Sequence, residues 1–306
     1  NFSIWKFIGE FHFLFQNNLN FVRNHKISFS DKFQFHENFS KSYKYDIIIR
    51  KSGGNLVAGH SKWANIKHRK GRQDAQRAKV FTRLGKELTI SAKLGGSDIS
   101  FNPRLRLAVE KSKAANMPKD NMERAIKKGT GELEGVEYQE IRYEGYGPGG
   151  VAFLVDVVTD NKNRSASTVR MNFSRNDGNL GETGSVSFLF DRKGVFEFKK
   201  ENVSEDTLMD IALESGAEDV VEKGDSLLVM VAPNDFDTVK GVLDSNNLKY
   251  EDGEITMYPA TEIEINDIET ARKLMKLYDD LEENEDVQEI YSNFDISDEV
   301  MNKMDN

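Results

Sequence analysis

Apolar residues recur at three- and four-residue steps in the first third of the chain. Ala78, Phe81, Leu84, Leu88 and Ala92 fall on one side of a helix. Gly95-Gly96 ends that helix, and Asn102-Pro103 opens another with Pro at its first position. Leu105, Ala108, Val109 and Ser112 form its inner stripe. Met117-Pro118 breaks the pattern, and Pro118 is placed to start a short helix that ends at Gly129, with Met122, Ala125 and Ile126 inward. Residues 61–129 are therefore expected to be helical. The short loop at Met117, Pro118 and Lys119 is expected to present an apolar tip for docking.

Beyond Tyr138 the period changes. Residues 145–150 (GYGPGG) form a turn cluster, and 151–159 read as a near-continuous apolar strand. A helix over 161–175, capped by Asp160 or Asn161, and a second strand over 185–190 make one βαβ unit. Strands at 194–198, 219–222, 226–231 and 250–257, with helices at 204–215 and 233–246, follow the order β-α-β-β-α-β, the ferredoxin-like split motif. A strand at 261–265, a helix at 267–283 and a strand at 287–294 supply a second βαβ unit. The predicted fold class is α+β in three domains. A helical domain spans 58–133. Two ferredoxin-like α/β sandwiches follow, one inserted in the other: a discontinuous one takes 134–192 plus 260–300, and 193–259 form the inserted one.

Residues 1–57 differ in kind. They hold ten of the twenty Phe, with many Asn, Lys and Ile, and no sustained period. This composition is what AT-rich codons give, and Gly53-Gly54 followed by Val57 fits a ribosome-binding sequence ahead of a GTG start. We read 1–57 as a non-native or disordered extension translated from upstream DNA. A genuine disordered or targeting extension is the alternative.

Charge sharpens the picture. The net charge of −9 averages two opposed blocks. Residues 58–130 carry 18 Lys and Arg against 6 Asp and Glu, or +12, while 131–306 carry 16 against 41, or −25. Such asymmetry points to a polyanion partner for the basic block, the acidic remainder repelling nucleic acid and so orienting the protein on it. Basic helix faces that serve only solubility are the plainer alternative. No apolar run reaches the roughly 18 residues of a membrane span.

Catalytic chemistry finds little support. The absence of Cys removes disulfides, thiolate metal sites and cysteine nucleophiles. Only His60 and His68 occur after residue 57, without a metal-ligand spacing. The 145–150 loop is followed by a strand, where a phosphate cradle needs a helix N-terminus. Lys128-Gly129-Thr130 lacks the glycine loop of a nucleotide-binding motif, and Glu282, Glu283, Glu285 and Asp286 read as a solvated helix end. No catalytic residue, metal, cofactor or small-molecule substrate is expected.

The densest chemistry lies at 59–72. Lys62, Lys67, Arg69, Lys70 and Arg72 surround Trp63 and the two histidines His60 and His68. Lysine and arginine neutralise phosphates and release counterions, and the rings can stack on bases or ribose. Trp63 serves equally well as a core anchor. Arg77, Lys79, Arg83 and Lys86 are expected to extend the positive surface along the next helix.

Four long segments carry a resemblance: AGHSKWANIKHRKGRQDAQRAKVFTRLGKEL, NPRLRLAVEKSKAANMPKDNMERAIKKGTG, YEGYGPGGVAFLVDVVTDNKNRSASTVR and GSVSFLFDRKGVF. Together they are similar to the YebC/PmpR family, which includes the mitochondrial translational activator of cytochrome c oxidase. The similarity runs from about residue 58 to 296, and residues 1–57 have no counterpart. The resemblance implies a helical domain followed by two α/β domains in a cytoplasmic, non-enzymatic regulator of gene expression that binds DNA. It also implies a second reading, a ribosome-associated, rRNA-binding translation factor that relieves stalling on difficult sequences such as proline runs. Oligomeric state is not legible.

Overall fold

Three helices open the described part of the chain because their apolar residues share faces. The computed structural model describes residues 73–304, which lie within the unit Arg50–Asn306. Helix α1 (Gln73–Gly95), α2 (Pro103–Ala114) and α3 (Lys119–Gly129) bury Leu84, Leu88, Ala92, Leu105, Ala108, Ser112 and Met122 against one another. Ala78, at the start of the expected stripe, is exposed, and Val109, Ala125 and Ile126 are half-buried. Asn102 caps α2, its side-chain oxygen accepting from Leu105 N at 3.0 Å, with Pro103 behind it. Helices α1 and α3 meet at Gly129. A Cβ there would lie 2.2 Å from the Thr89 carbonyl, so only glycine permits the contact.

Four strands build the first sheet: β1 (Gln139–Tyr146), β2 (Ala152–Thr159), β3 (Asn179–Leu180) and β9 (Val287–Ser292). Their order is β3-β1-β2-β9, with every pairing antiparallel. Helices α4 (Lys162–Arg175) and α7 (Ile268–Glu282) contribute to its core, where Phe153, Val155 and Ile290 meet Val169, Phe173, Leu274 and Leu277. Phe153 and Phe173 cross edge to face at 5.9 Å. A short parallel pair, β8 (Ile263–Ile265) with β10 (Phe294–Ile296), and α8 (Asp298–Met304) complete this part.

Between those two stretches of chain runs a second sheet, β5-β6-β4-β7, again antiparallel throughout. Strand β4 (Phe190–Lys199) is followed by α5 (Glu205–Glu214), β5 (Asp219–Lys223), β6 (Ser226–Val231), α6 (Phe236–Ser245) and β7 (Asp252–Pro259). This is the β-α-β-β-α-β order expected from the sequence. Phe196, Phe198, Leu227 and Val229 pack under Leu208, Val239 and Leu243, and Phe196 stacks on Phe236 at 4.5 Å. The described chain is α+β.

Two local expectations change. The first sheet contains β1, absent from the expected strands, and the expected strand at 185–190 does not form, Phe190 instead opening β4. Ser187–Leu189 is a 3-10 turn instead, and the return strand is only β3. Glu144 supplies the physical reason. This buried residue of β1 accepts from Gly184 N at 2.8 Å and from Val186 N and Ser187 N at 2.9 Å. The carboxylate thus takes the amides that a strand partner would use. Burial alone would raise its pKa, but the three backbone donors lower it below the usual value. Glu144→Ala is expected to cost about 1–3 kcal/mol, the penalty for stranding buried donors. Urea unfolding measures it, and a cost near zero would show that the turn holds itself.

Candidate nucleic-acid interface

Helical periodicity decides which cations reach solvent. On α2, burial of Leu105, Ala108 and Ser112 turns Arg106, Leu107, Glu110 and Lys113 outward. On α3, burial of Met122 leaves Arg124, Lys127 and Lys128 exposed at i, i+3 and i+4. Arg106, Lys113, Arg124, Lys127 and Lys128 make no ion pair with another described residue. The sequence reading did not single out these five. The signal was present in the apolar stripes, whose complement they occupy.

The cations expected along α1 divide. Arg77 is exposed, its guanidinium 5.1 Å from the Phe81 ring centre. Lys79 is half-buried. Arg83 turns inward and donates to the Glu282 carbonyl. Lys86 is a correction, because it is buried and does not extend an outer positive face. Its Nζ donates to Asp286 Oδ1 at 2.6 Å and to the Glu285 carbonyl at 2.9 Å. Asp286 also accepts from Ser165 Oγ at 2.7 Å, Arg164 Nη2 at 2.9 Å and Thr159 Oγ1 at 3.0 Å. Burial would raise the Asp286 pKa, yet these hydrogen bonds, led by that from Lys86, hold it down at about 2. The acidic run at 282–286 is thus no solvated end throughout, since Asp286 fastens α1 to the first sheet.

Other cations are similarly engaged. Arg104 bridges Glu87 of α1, at 2.7 Å, and Glu140 of β1, and the hydrogen bond it donates to Glu87 leads in raising its pKa. Lys93 pairs with Glu137 at 2.9 Å. Lys111 is half-buried among acids. Burial opposes its charge, but Glu289, Glu254 and Asp252 raise its pKa. Burial, then repulsion from Glu289, pushes Glu254 well up.

The expected docking loop also needs correction. Met117 is buried. Asn116 adopts φ 55°, its N–H reaches the Lys113 carbonyl at 3.0 Å, and Met117 N reaches the Ser112 carbonyl at 2.9 Å. That is the Schellman ending of a helix, in which the residue after the left-handed one folds back as an apolar plug. Pro118 and Lys119 remain exposed, with Lys119 3.3 Å from Glu123. His60, Lys62, Trp63, Lys67, His68, Arg69, Lys70 and Arg72 lie outside the described residues, as does the expected extension over 1–57. Among the described residues, no group of three or more His, Asp or Glu is arranged to hold a metal. None of the described helices is long and apolar enough to cross a membrane.

Comparison with known proteins places this geometry. Residues 61–132 match the family model of the TACO1/YebC protein N-terminal domain, and 138–294 that of the TACO1/YebC second and third domain. A probable transcriptional regulatory protein of Fusobacterium nucleatum is 57% identical over 249 residues, covering 81% of this chain and all of the relative. One from Syntrophobacter fumaroxidans is 54% identical over 248 residues, with 81% and 100% covered. The crystal structure of a conserved hypothetical protein from Aquifex aeolicus superposes with a TM-score of 0.65 at 48% identity. It covers 74% of this chain and 93% of its own. With both family models matched and relatives covered end to end, the chain belongs to the TACO1/YebC family.

Proposed function

We propose that this protein is a non-enzymatic regulator of gene expression that grips nucleic acid with the outer faces of its helical domain, in the cytoplasm. The observation that carries the reading is the sorting of cations. Buried Lys86 is matched by Asp286, and Arg104, Lys93 and Lys119 at the surface have carboxylate partners, whereas Arg106, Lys113, Arg124, Lys127 and Lys128 stand exposed with no ion-pair partner among the described residues. Unmatched cations on neighbouring helices suit a phosphate backbone, which repays them by counterion release. The names of the relatives, probable transcriptional regulatory proteins, support a DNA-binding transcriptional regulator. We assign the grip to 58–133, carried by an α/β domain of 134–192 plus 260–300 with 193–259 inserted.

The second reading is an rRNA-binding translation factor acting at the ribosome. It is favoured by one observation, an exposed aromatic side chain on the loop between α1 and α2, which suits unpaired bases better than a duplex.

The test is a salt titration of the full chain against labelled duplex DNA and RNA. Affinity is expected to fall about 100-fold or more between 50 and 200 mM salt, as for a protein that contacts several phosphates. A salt-independent affinity would remove the phosphate grip.

A further inference from the structure

We infer that Phe101 is a stacking platform for an unpaired nucleobase, so that the basic head takes single-stranded or looped nucleic acid in preference to continuous duplex. The inference rests on the nucleic-acid reading above and specifies its ligand. Phe101 is 86% exposed, the most exposed of the large apolar side chains described, and Leu94, Ile99 and Leu107 near it in sequence are exposed too. Leaving a phenyl ring in water forgoes the burial that stabilises Phe elsewhere in the fold.

The loop that carries it is fastened. Gly96 N donates to the Ala92 carbonyl at 2.9 Å, and the Asp98 carbonyl accepts from Phe101 N at 3.2 Å and Asn102 N at 2.9 Å. The Asp98 carboxylate is turned back onto Ser100 N at 2.8 Å. Buried Asn102 locks the root, donating to the Ser91 carbonyl at 2.8 Å and the Gly96 carbonyl at 2.9 Å. The ring is thus presented on an ordered pedestal, which lowers the entropic cost of stacking.

Charge selects the occupant. The open side of α2, which begins two residues after Phe101, carries Arg106, Leu107, Glu110 and Lys113, and the three helices with their loops, 73–130, hold 13 basic against 6 acidic residues. An exposed aromatic ring close in sequence to cations that pair with no carboxylate among the described residues fits a base and its flanking phosphates. A base inside a duplex is out of reach unless the stack is opened at a cost.

The experiment compares the full-length protein with its Phe101→Ala and Phe101→Trp variants. Each is titrated with a labelled single-stranded oligonucleotide and with the fully paired duplex of the same sequence. Phe101→Ala is expected to weaken single-strand binding about tenfold, the loss of one stacked base. Duplex binding should stay within about twofold and the salt dependence should not change, because no phosphate contact is removed. Phe101→Trp should keep single-strand affinity. An Ala variant that binds the single strand like the parent overturns the inference while the phosphate grip stands, and is the result expected if the loop meets an apolar protein pocket instead. Equal losses on strand and duplex also overturn it. A parent with no salt-dependent affinity for either ligand fails the grip itself, and the stacking platform with it.

Discussion

Lys86→Met is expected to lower the free energy of unfolding by about 2–3 kcal/mol, because it takes the ammonium partner from the buried Asp286 carboxylate while Arg164 still pairs with it. The loss exceeds that of a surface ion pair because both side chains lie below a tenth exposed. Met preserves the length of the stem, so the cost reports the charge and not a cavity. Adding Asp286→Asn should recover part of the loss, since the amide oxygen can still accept from Ser165 or Thr159. Urea unfolding of the two single variants and the double variant closes the cycle. A Lys86→Met cost below about 1 kcal/mol would show that the pair is not holding α1. The same pair sets a pH signature. With its pKa at about 2 in the fold against an ordinary 3.8, Asp286 contributes its stabilisation fully above about pH 4. That contribution, about 2 kcal/mol, is lost as pH falls toward 2. Asp286→Asn should flatten stability over that window.

The other large effect concerns binding. Charge reversal by Lys67→Glu, Arg69→Glu and Lys70→Glu together is expected to reduce nucleic-acid affinity at least about 100-fold at moderate salt, since three cations are removed and repulsion is added. Arg124→Glu, Lys127→Glu and Lys128→Glu, on the exposed side of α3, should act similarly. Circular dichroism and thermal unfolding should stay near the parent for both sets. Unchanged mobility shifts with DNA and unchanged co-sedimentation with ribosomes would show that neither surface is the grip.

These two predictions mark where sequence reasoning succeeded and where it stopped. The stripes of α1, α2 and α3 were legible because Leu84, Leu88, Leu105 and Ala108 obey the helical period. The split motif of the second sheet was legible because each strand is a short apolar run bounded by turn residues. Lys86 was not legible as an inward cation, since Asp286 lies 200 residues away and no local pattern links them. Met117 looked like an exposed tip because a Met-Pro step breaks helices, whereas the carbonyls of the preceding turn draw it back. The alternation Val186, Phe188, Phe190 imitates a strand, yet Phe188 is 72% exposed and the amides before it serve Glu144. Strand β1 was hidden because its apolar phase holds only Ile141 and Tyr143 before Gly145, too short an alternation to stand out.

The second sheet leaves and rejoins the first at one place, for Phe190 at the start of β4 pairs directly with Pro259 at the end of β7. In a chain emerging from its N-terminus, the inner sheet therefore has every strand once residue 259 is out, while the outer one must wait for Val287–Ser292 to lie down beside β2. A nascent chain halted between those points would hold every strand of the second sheet and a β2 edge still waiting for its partner.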